Sequence, residues 1–527
     1  MISQAPSPVP FGSAHLHYWI PQPRFPEGDA PYKHRGLALV AVSMGVFVAA
    51  LDMSIVGIVG PALSKDLGAT ASEIQWAFDA FSVVMAGFVV LGGGLAERFG
   101  RKGFAQLGML VFALGATVCA YAPNPGILIV GRVVSGLGAA VVFPTCLSII
   151  SALFPAEERP RAVAIFASIS ASGLTSGPLL GGILIKWFWW GAAFLIITPV
   201  ALLSIAAIAV IVPPSRNPKE GPLDMYGALL SVIGLGGIVF GVIEGPNRGW
   251  GEAVVLVPFC TGILVTVAFI IWELRCRVPL FDLRVFKDSR VVGGALAMAL
   301  VYFTLQGNQL LIPQYLGYVL NLSSVQIGLM MCPFGLALVL LSPLSSPLVE
   351  KHGQRTMLLV SLGFMAAGQM VLAILHTRGG LVNVLTGICI YGIGYSLIVA
   401  PATSVIMVAI PKEKAGDGSA VNMVSRQIGG AMGVAILGSL ASMVYRGGLT
   451  LRGYPLTEAQ QQSVERSLSG VIALNEQLEA ATATRLDAMA DASMVKGVAV
   501  AMAVSGAVSA VVALVAFFSL RDRAEPS

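Results

Sequence analysis

The chain has 527 residues, of which 56% are hydrophobic and only 11% charged, against about 25% charged in soluble domains. A water-soluble fold cannot hide that much apolar surface, so lipid must solvate much of it. The net charge of +5 does not mark a nucleic-acid binder, because almost all Lys and Arg fall between apolar runs.

The first 33 residues carry seven prolines and no charged-then-apolar start, so they read as a disordered tail rather than a signal peptide. A spanning helix needs about 20 mostly apolar residues. That length predicts fourteen spans, at 36–60, 77–96, 104–121, 125–149, 161–186, 191–212, 225–243, 253–273, 291–316, 325–347, 356–376, 381–408, 417–445 and 496–520. An even count puts both termini on one side. With the amino terminus cytoplasmic, the inner segments hold 21 of the 32 Lys and Arg, while the short outer loops hold four (Lys65, Lys186, Arg248, Arg378). This positive-inside bias predicts a multi-pass protein of the plasma (inner) membrane with both termini cytoplasmic. One outer loop is long, 446–495, and Val464, Leu468, Val471 and Ile472 recur in it at helical spacing. It is expected to form an external helical hairpin that caps the outer mouth.

An internal repeat organises the rest. Leu95-Ala-Glu-Arg-Phe-Gly-Arg-Lys102 is echoed by Leu348-Val-Glu-Lys-His-Gly-Gln-Arg355. An offset of 256 then carries Gly136 and Gly138 to Gly392 and Gly394, and Gly173, Gly177 and Gly182 to Gly429, Gly433 and Gly438. The expected organisation is a cytoplasmic tail (1–33), a six-helix bundle (34–213), a linker with two inserted transmembrane helices (214–290), a second six-helix bundle carrying the 446–495 loop (291–520) and a short cytoplasmic tail (521–527). Repeated halves around a central site suit alternating access.

The loop Gly93-Gly-Leu-Ala-Glu-Arg-Phe-Gly-Arg-Lys102 resembles the signature loop of the major facilitator superfamily, with Glu97 where the family usually has Asp. A carboxylate at a helix end beside Arg98 and Arg101 suits a breakable cytoplasmic lock, with Gly93 and Gly100 of the same motif as further gating candidates. Leu51-Asp-Met-Ser-Ile-Val56 with Pro61, Arg132-Val-Val-Ser-Gly-Leu-Gly138, Gly173-Leu-Thr-Ser-Gly-Pro-Leu-Leu-Gly-Gly182 and Arg426-Gln-Ile-Gly-Gly430 resemble motifs of the fourteen-helix drug/proton antiporters. Trp76-Ala-Phe-Asp-Ala-Phe-Ser82 is similar to a second-helix segment of the quaternary-ammonium exporters, although Leu338 and Asn422 stand near positions where those exporters carry acids. The resemblance implies an all-α major facilitator fold and proton-coupled antiport of drugs, with residues 173–182 linked to exchange.

Charged residues inside a membrane are costly and by default mark a pathway or relay. Asp52, Asp79 and Arg132 fall in the outer half of the first repeat, at depths that let them interact. Asp52 and Arg132 are the proton-coupling candidates, with a buried structural pair as the alternative. Asp79, flanked by Trp76, Phe78 and Phe81, is the candidate for a cationic substrate, together with Asn308. The 256 offset places Ile388 opposite Arg132 and approximately Asn308 opposite Asp52. Gly173, Gly177 and Gly181 lie four apart, so another helix can approach closely, and Pro178 permits bending.

No Lys is followed by Ser or Thr, which excludes a P-loop, and no HExxH or comparable metal cluster occurs. No cofactor, metal or catalytic residue is expected. The expected partners are a small-molecule substrate, protons and the bilayer, with a monomer as the working unit. Export of hydrophobic cations and specific export of a metabolite, antibiotic or siderophore differ only in substrate.

Overall fold

The computed structural model describes residues 32–155, 158–215, 224–276, 279, 283–375, 380–409, 415–451, 454, 456–466, 468–474 and 478–519. Residues 1–31 and 521–527 of the expected tails lie outside them. Among the described residues there is no strand. The first set of helices is α1 (Arg35–Leu67), α2 (Ala71–Phe99), α3 (Arg101–Ala120), α4 (Pro125–Leu153), α5 (Arg159–Trp187), the short α6 (Ala192–Leu195) and α7 (Ile197–Ile211). A hairpin of α8 (Met225–Arg248) and α9 (Ala253–Arg275) follows. The second set is α10 (Ser289–Gln314), α11 (Ser324–His352), α12 (Gln354–Leu372), α13 (Leu381–Ala409) and α14 (Ala415–Gly448). Two short helices, α15 (Glu458–Arg466) and α16 (Leu468–Leu474), lead into α17 (Ala480–Ser519). Thirteen stretches of the described residues are long and apolar enough to cross a membrane. Helix α5, 29 residues long, holds the place of the expected fifth span.

Three boundaries differ from the sequence expectation. Helix α2 begins at Ala71 rather than 77, because Thr70 and Glu73 form a reciprocal capping box that satisfies the first free N–H groups of the helix. Hydropathy discounts that polar first turn. Helix α1 runs on through Pro61 to Leu67, where Gly68 closes it in a left-handed conformation. Helix α17 begins at Ala480, so the last third of the expected 446–495 loop is helix. Leu486, Ala490, Met494 and Val498 form one buried stripe across that region, although Arg485, Asp487 and Asp491 lower its hydropathy. In the short helices Val464, Leu468 and Val471 are buried as their spacing predicts, whereas Ile472 is 46% exposed.

The repeat is visible in the local chemistry. Ser323 and Gln326 open α11 with the same capping box that opens α2. Gly100 and Gly353 link α2 to α3 and α11 to α12 at φ +127° and +81°, a region that costs a side chain energy and glycine none. In the first set α4 packs on α2 and α3, and α1 on α5 and α7. In the second α13 packs on α11 and α12, and α10 on α14. The sets meet along α1–α10, α2–α14 and α5–α11. Helix α8 leans on both α2 and α14, and α9 packs on its outer side.

Arg35 and Ser519 mark one end of the bundle; the other end, carrying α15 and α16, is called distal below. The contacts between the sets that side chains define sit at mid-depth or distally. Pro61 faces Gly317, Gln75 faces Gly438, and the Pro178 carbonyl faces Gly328. A small distal cleft remains between α1, α2, α10 and α14, lined by Ser64, Gln75, Gln314, Tyr318, Tyr445 and Leu468.

Candidate functional site

Arg132 binds three helices together. Its Nη1 donates to Asp52 Oδ2 of α1 at 2.5 Å and its Nε to the Ala77 carbonyl of α2 at 2.8 Å. Its guanidinium lies over the Phe81 ring, 4.6 Å from the centroid. Asp52 and Arg132 are 0% and 1% exposed, and Asp52 Oδ1 has no hydrogen-bond partner. The helix that carries Asp52 also packs closely on α5: backbone and side-chain atoms of Phe47, Leu51, Ser54 and Ile55 lie where a Cβ on Gly173, Gly177 or Gly181 would project. Close approach of this kind is what small residues four apart permit. Pro178 is buried within α5.

Asp79 is fully buried with both carboxylate oxygens unpartnered. It shares a helical face with Gln75, whose Oε1 is also unpartnered, and with Val83, which packs on Val239 of α8 and Ala431 and Ala435 of α14. Asp79 thus sits on the side of α2 turned to the seam between the sets. On α10, Gln306 Oε1 and Asn308 Oδ1 are buried acceptors without donors. None of Asp52, Asp79, Arg132 and Asn308 lines the distal cleft.

The three aromatics expected around Asp79 go to different places. Trp76 packs on Phe240 of α8 with ring centroids 5.8 Å apart. Phe78 belongs to the large apolar core. Phe81 supports Arg132. At 100° per residue, Phe81 points roughly opposite to Asp79 and Phe78 about a quarter-turn away.

At the proximal end of α2, Glu97 accepts from Arg101 Nε at 2.9 Å and from Ser148 of α4. Arg101 N donates to the Ser215 carbonyl and Lys102 Nζ to the Ala209 carbonyl, at 2.9 and 2.7 Å. Arg98 is exposed beside the Phe99 ring, and Gly93 lies against Pro144. These contacts tie the loop to α4 and α7, inside the first set.

The repeat register at Asp52 differs from the sequence expectation. Gly173 and Gly177 lie on the Phe47 and Leu51 carbonyls, while Gly429 and Gly433 lie on those of Ala299 and Phe303. The offset between α1 and α10 is therefore 252 (47 to 299, 51 to 303), and the counterpart of Asp52 is Thr304, one turn before Asn308. Thr304 shares a hydrogen bond with the Tyr391 hydroxyl at 3.0 Å. A neutral bond across α10 and α13 stands where the ion pair crosses α1 and α4.

The second set holds a constellation that sequence alone does not single out. Arg426 of α14 donates to the Tyr302 hydroxyl and lies 4.6 Å from that ring's centroid. Tyr395 is 6.5 Å from Tyr302, and Phe334 is 5.2 Å from Tyr395 and 5.9 Å from Tyr391. The signal available was an arginine in mid-span with two tyrosines four apart on α13.

The Major Facilitator Superfamily family model matches residues 42–434. The chain is 34% identical over 406 residues to the multidrug resistance protein Stp of Mycobacterium tuberculosis, covering 77% of this chain and 75% of that one. It is 28% identical over 464 residues to the multidrug efflux pump LfrA of Mycolicibacterium smegmatis, covering 88% and 92%. Its fold is similar to that of a bacterial homolog of the human lysosomal transporter Spinster in an inward-facing, occupied conformation, with TM-score 0.64, 18% identity and coverage of 95% and 100%. The chain belongs to the Major Facilitator Superfamily and is a multi-pass membrane transporter.

Proposed function

We propose that this transporter is a proton-coupled antiporter of the plasma membrane that exports hydrophobic cationic compounds by alternating access between two six-helix halves. One observation carries the reading: two fully buried carboxylates sit in neighbouring helices, Asp52 clamped by Arg132 and Asp79 with both oxygens unpartnered. A clamped carboxylate that exchanges its arginine for a proton suits coupling. An unpartnered one, on the same helical face as the orphan acceptor Gln75, suits a ligand that brings positive charge and N–H donors. The names of the two mycobacterial relatives, a multidrug resistance protein and a multidrug efflux pump, support export.

In this reading the distal end is external, both termini are cytoplasmic and the working unit is a monomer. Contacts between the halves close the distal side, and Glu97 and Arg101 stay inside the first half, as an inward-open state requires. Gly173, Gly177 and Gly181 with Pro178 form the seam on which α1 rocks. The Gly93–Arg101 segment engages the second half when the cytoplasmic side closes.

Asp79→Asn should weaken export of a quaternary dye by about tenfold or more while sparing a neutral substrate, since an ion pair at about 4 Å is worth roughly 4 kcal/mol at an effective dielectric of about 20 before desolvation. Efflux of both compounds from the same cells, at matched expression, is the measurement. Proportional loss of both would assign Asp79 to coupling or folding and remove the cation-selecting role.

A further inference from the structure

Arg132 and Arg426 are both arginines in mid-span, and their surroundings differ. Arg132 is paired with a carboxylate, a carbonyl and a ring. Among the described residues, Arg426 pairs with Tyr302, as ring and as hydroxyl. One of its five N–H donors is used there, and among the described residues no carboxylate lies within ion-pair distance of it. Arg426 is half-buried, not sealed in the core. The 256 offset carries it back to Ser170, so the first half has no counterpart cation.

A guanidinium is a planar fork that matches a carboxylate with two hydrogen bonds and can also donate to the single oxygen of a phenolate. The wall beside it is aromatic: Tyr395 of α13 lies 6.5 Å from Tyr302 of α10 and 5.2 Å from Phe334 of α11, centroid to centroid. Rings in this arrangement offer faces and edges to a flat ligand. A fixed cation in the membrane interior is costly and is kept where a partner or pathway uses it.

We propose that Arg426, with Tyr302, Tyr395 and Phe334, forms a second binding pole that takes the anionic oxygen of a planar aromatic substrate, such as a carboxylate or phenolate. Asp79 on α2 and Arg426 on α14 then present opposite charges from two helices that pack on each other. A site with both poles accepts a zwitterionic aromatic better than a simple cation. This deepens the export reading and rests on it, but it assigns a selecting group to the other half.

The test uses the purified full-length protein and two dyes that differ by one carboxylate: rhodamine B, a zwitterion, and tetraethylrosamine, the same cationic ring system without the carboxyl group. Binding is followed by fluorescence anisotropy. The wild type should hold rhodamine B more tightly. Arg426→Gln should weaken rhodamine B by about tenfold or more, the scale of a lost charge-assisted hydrogen bond, and leave tetraethylrosamine unchanged or tighter. Arg426→Lys keeps the charge without the fork and should fall between, which leaves the proposal testable if the glutamine variant does not purify. Equal weakening of both dyes, or no preference for rhodamine B in the wild type, overturns the second pole. Asp79→Asn is the separate arm: it should weaken tetraethylrosamine while the Arg426→Gln effect on rhodamine B persists. Failure of that arm alone sinks the Asp79 reading and leaves Arg426 standing.

Discussion

Asp52→Asn is expected to leave a folded protein that no longer moves substrate uphill. The amide is nearly isosteric, and its oxygen can keep the bond that Asp52 Oδ2 accepts from Arg132 at 2.5 Å. The other oxygen, Oδ1, has no donor to lose. Deleting one partner of a buried ion pair costs about 3–5 kcal/mol. Here Arg132 retains the Ala77 carbonyl and the Phe81 ring, so a loss nearer the 1–3 kcal/mol of an unsatisfied buried group, about, is expected. The functional change is larger. One proton entering down one pH unit supplies about 1.4 kcal/mol, and 100 mV adds about 2.3, together enough for roughly a 500-fold gradient of a neutral substrate at one proton each. With the titratable group removed, that ratio should fall to about one, while downhill exchange of labelled for unlabelled substrate continues. Proteoliposomes with an imposed pH gradient and potential separate the two. If the variant still accumulates a neutral substrate against its gradient, the proton is carried elsewhere and the Asp52–Arg132 pair is structural.

Gly177→Ala should cost about 1–3 kcal/mol, as overpacking does, and depress transport, because its Cβ would press on Ser54 and sit 3.0 Å from the Leu51 carbonyl. Adding Ser54→Gly should restore part of the thermal stability; a double variant no better than Gly177→Ala would show that the α1 backbone itself sets the limit. In a cysteine-free background, single cysteines at Ser463 and Ser527 should label oppositely with an impermeant reagent on intact cells, Ser463 reacting and Ser527 not. Equal labelling would contradict cytoplasmic termini and an external α15.

Composition and apolar length were enough to expect a polytopic helical fold, since a lipid-solvated chain must satisfy its backbone within helices. Helix ends were less legible. Thr70 and Glu73 start α2 two turns earlier than hydropathy places it, because a cap is a matter of hydrogen bonds and not of apolar content. Asp52 and Arg132 were findable as rare membrane charges, and the structure brings them together. The register of the repeat was not: one offset of 256 serves α5 and α14, but α1 and α10 differ by 252, which moves the counterpart of Asp52 from Asn308 to Thr304. The Tyr302–Arg426 contact joins residues 124 apart in sequence, and no local pattern announces it. Trp76, Phe78 and Phe81 looked like one cluster because they are close along the chain, but a helix sends them to different neighbours.

The corrected register bears on how the halves divide the work. Both use the same seam, glycines of one helix on the carbonyls of another, so both can rock in the same way. They differ in what ties the neighbouring crossing. Across α1 and α4 the tie is a carboxylate and a guanidinium, whose strength changes when a proton arrives. Across α10 and α13 it is a pair of hydroxyls, Thr304 and Tyr391, of types that keep their protons through the physiological range. A proton can loosen the first crossing and not the second. In the proposed antiport cycle the two-fold plan supplies the motion, the ion-pair tie of the first half makes that motion answer to pH, and the proposed role of Arg426 and its tyrosines in the other half is to hold the cargo.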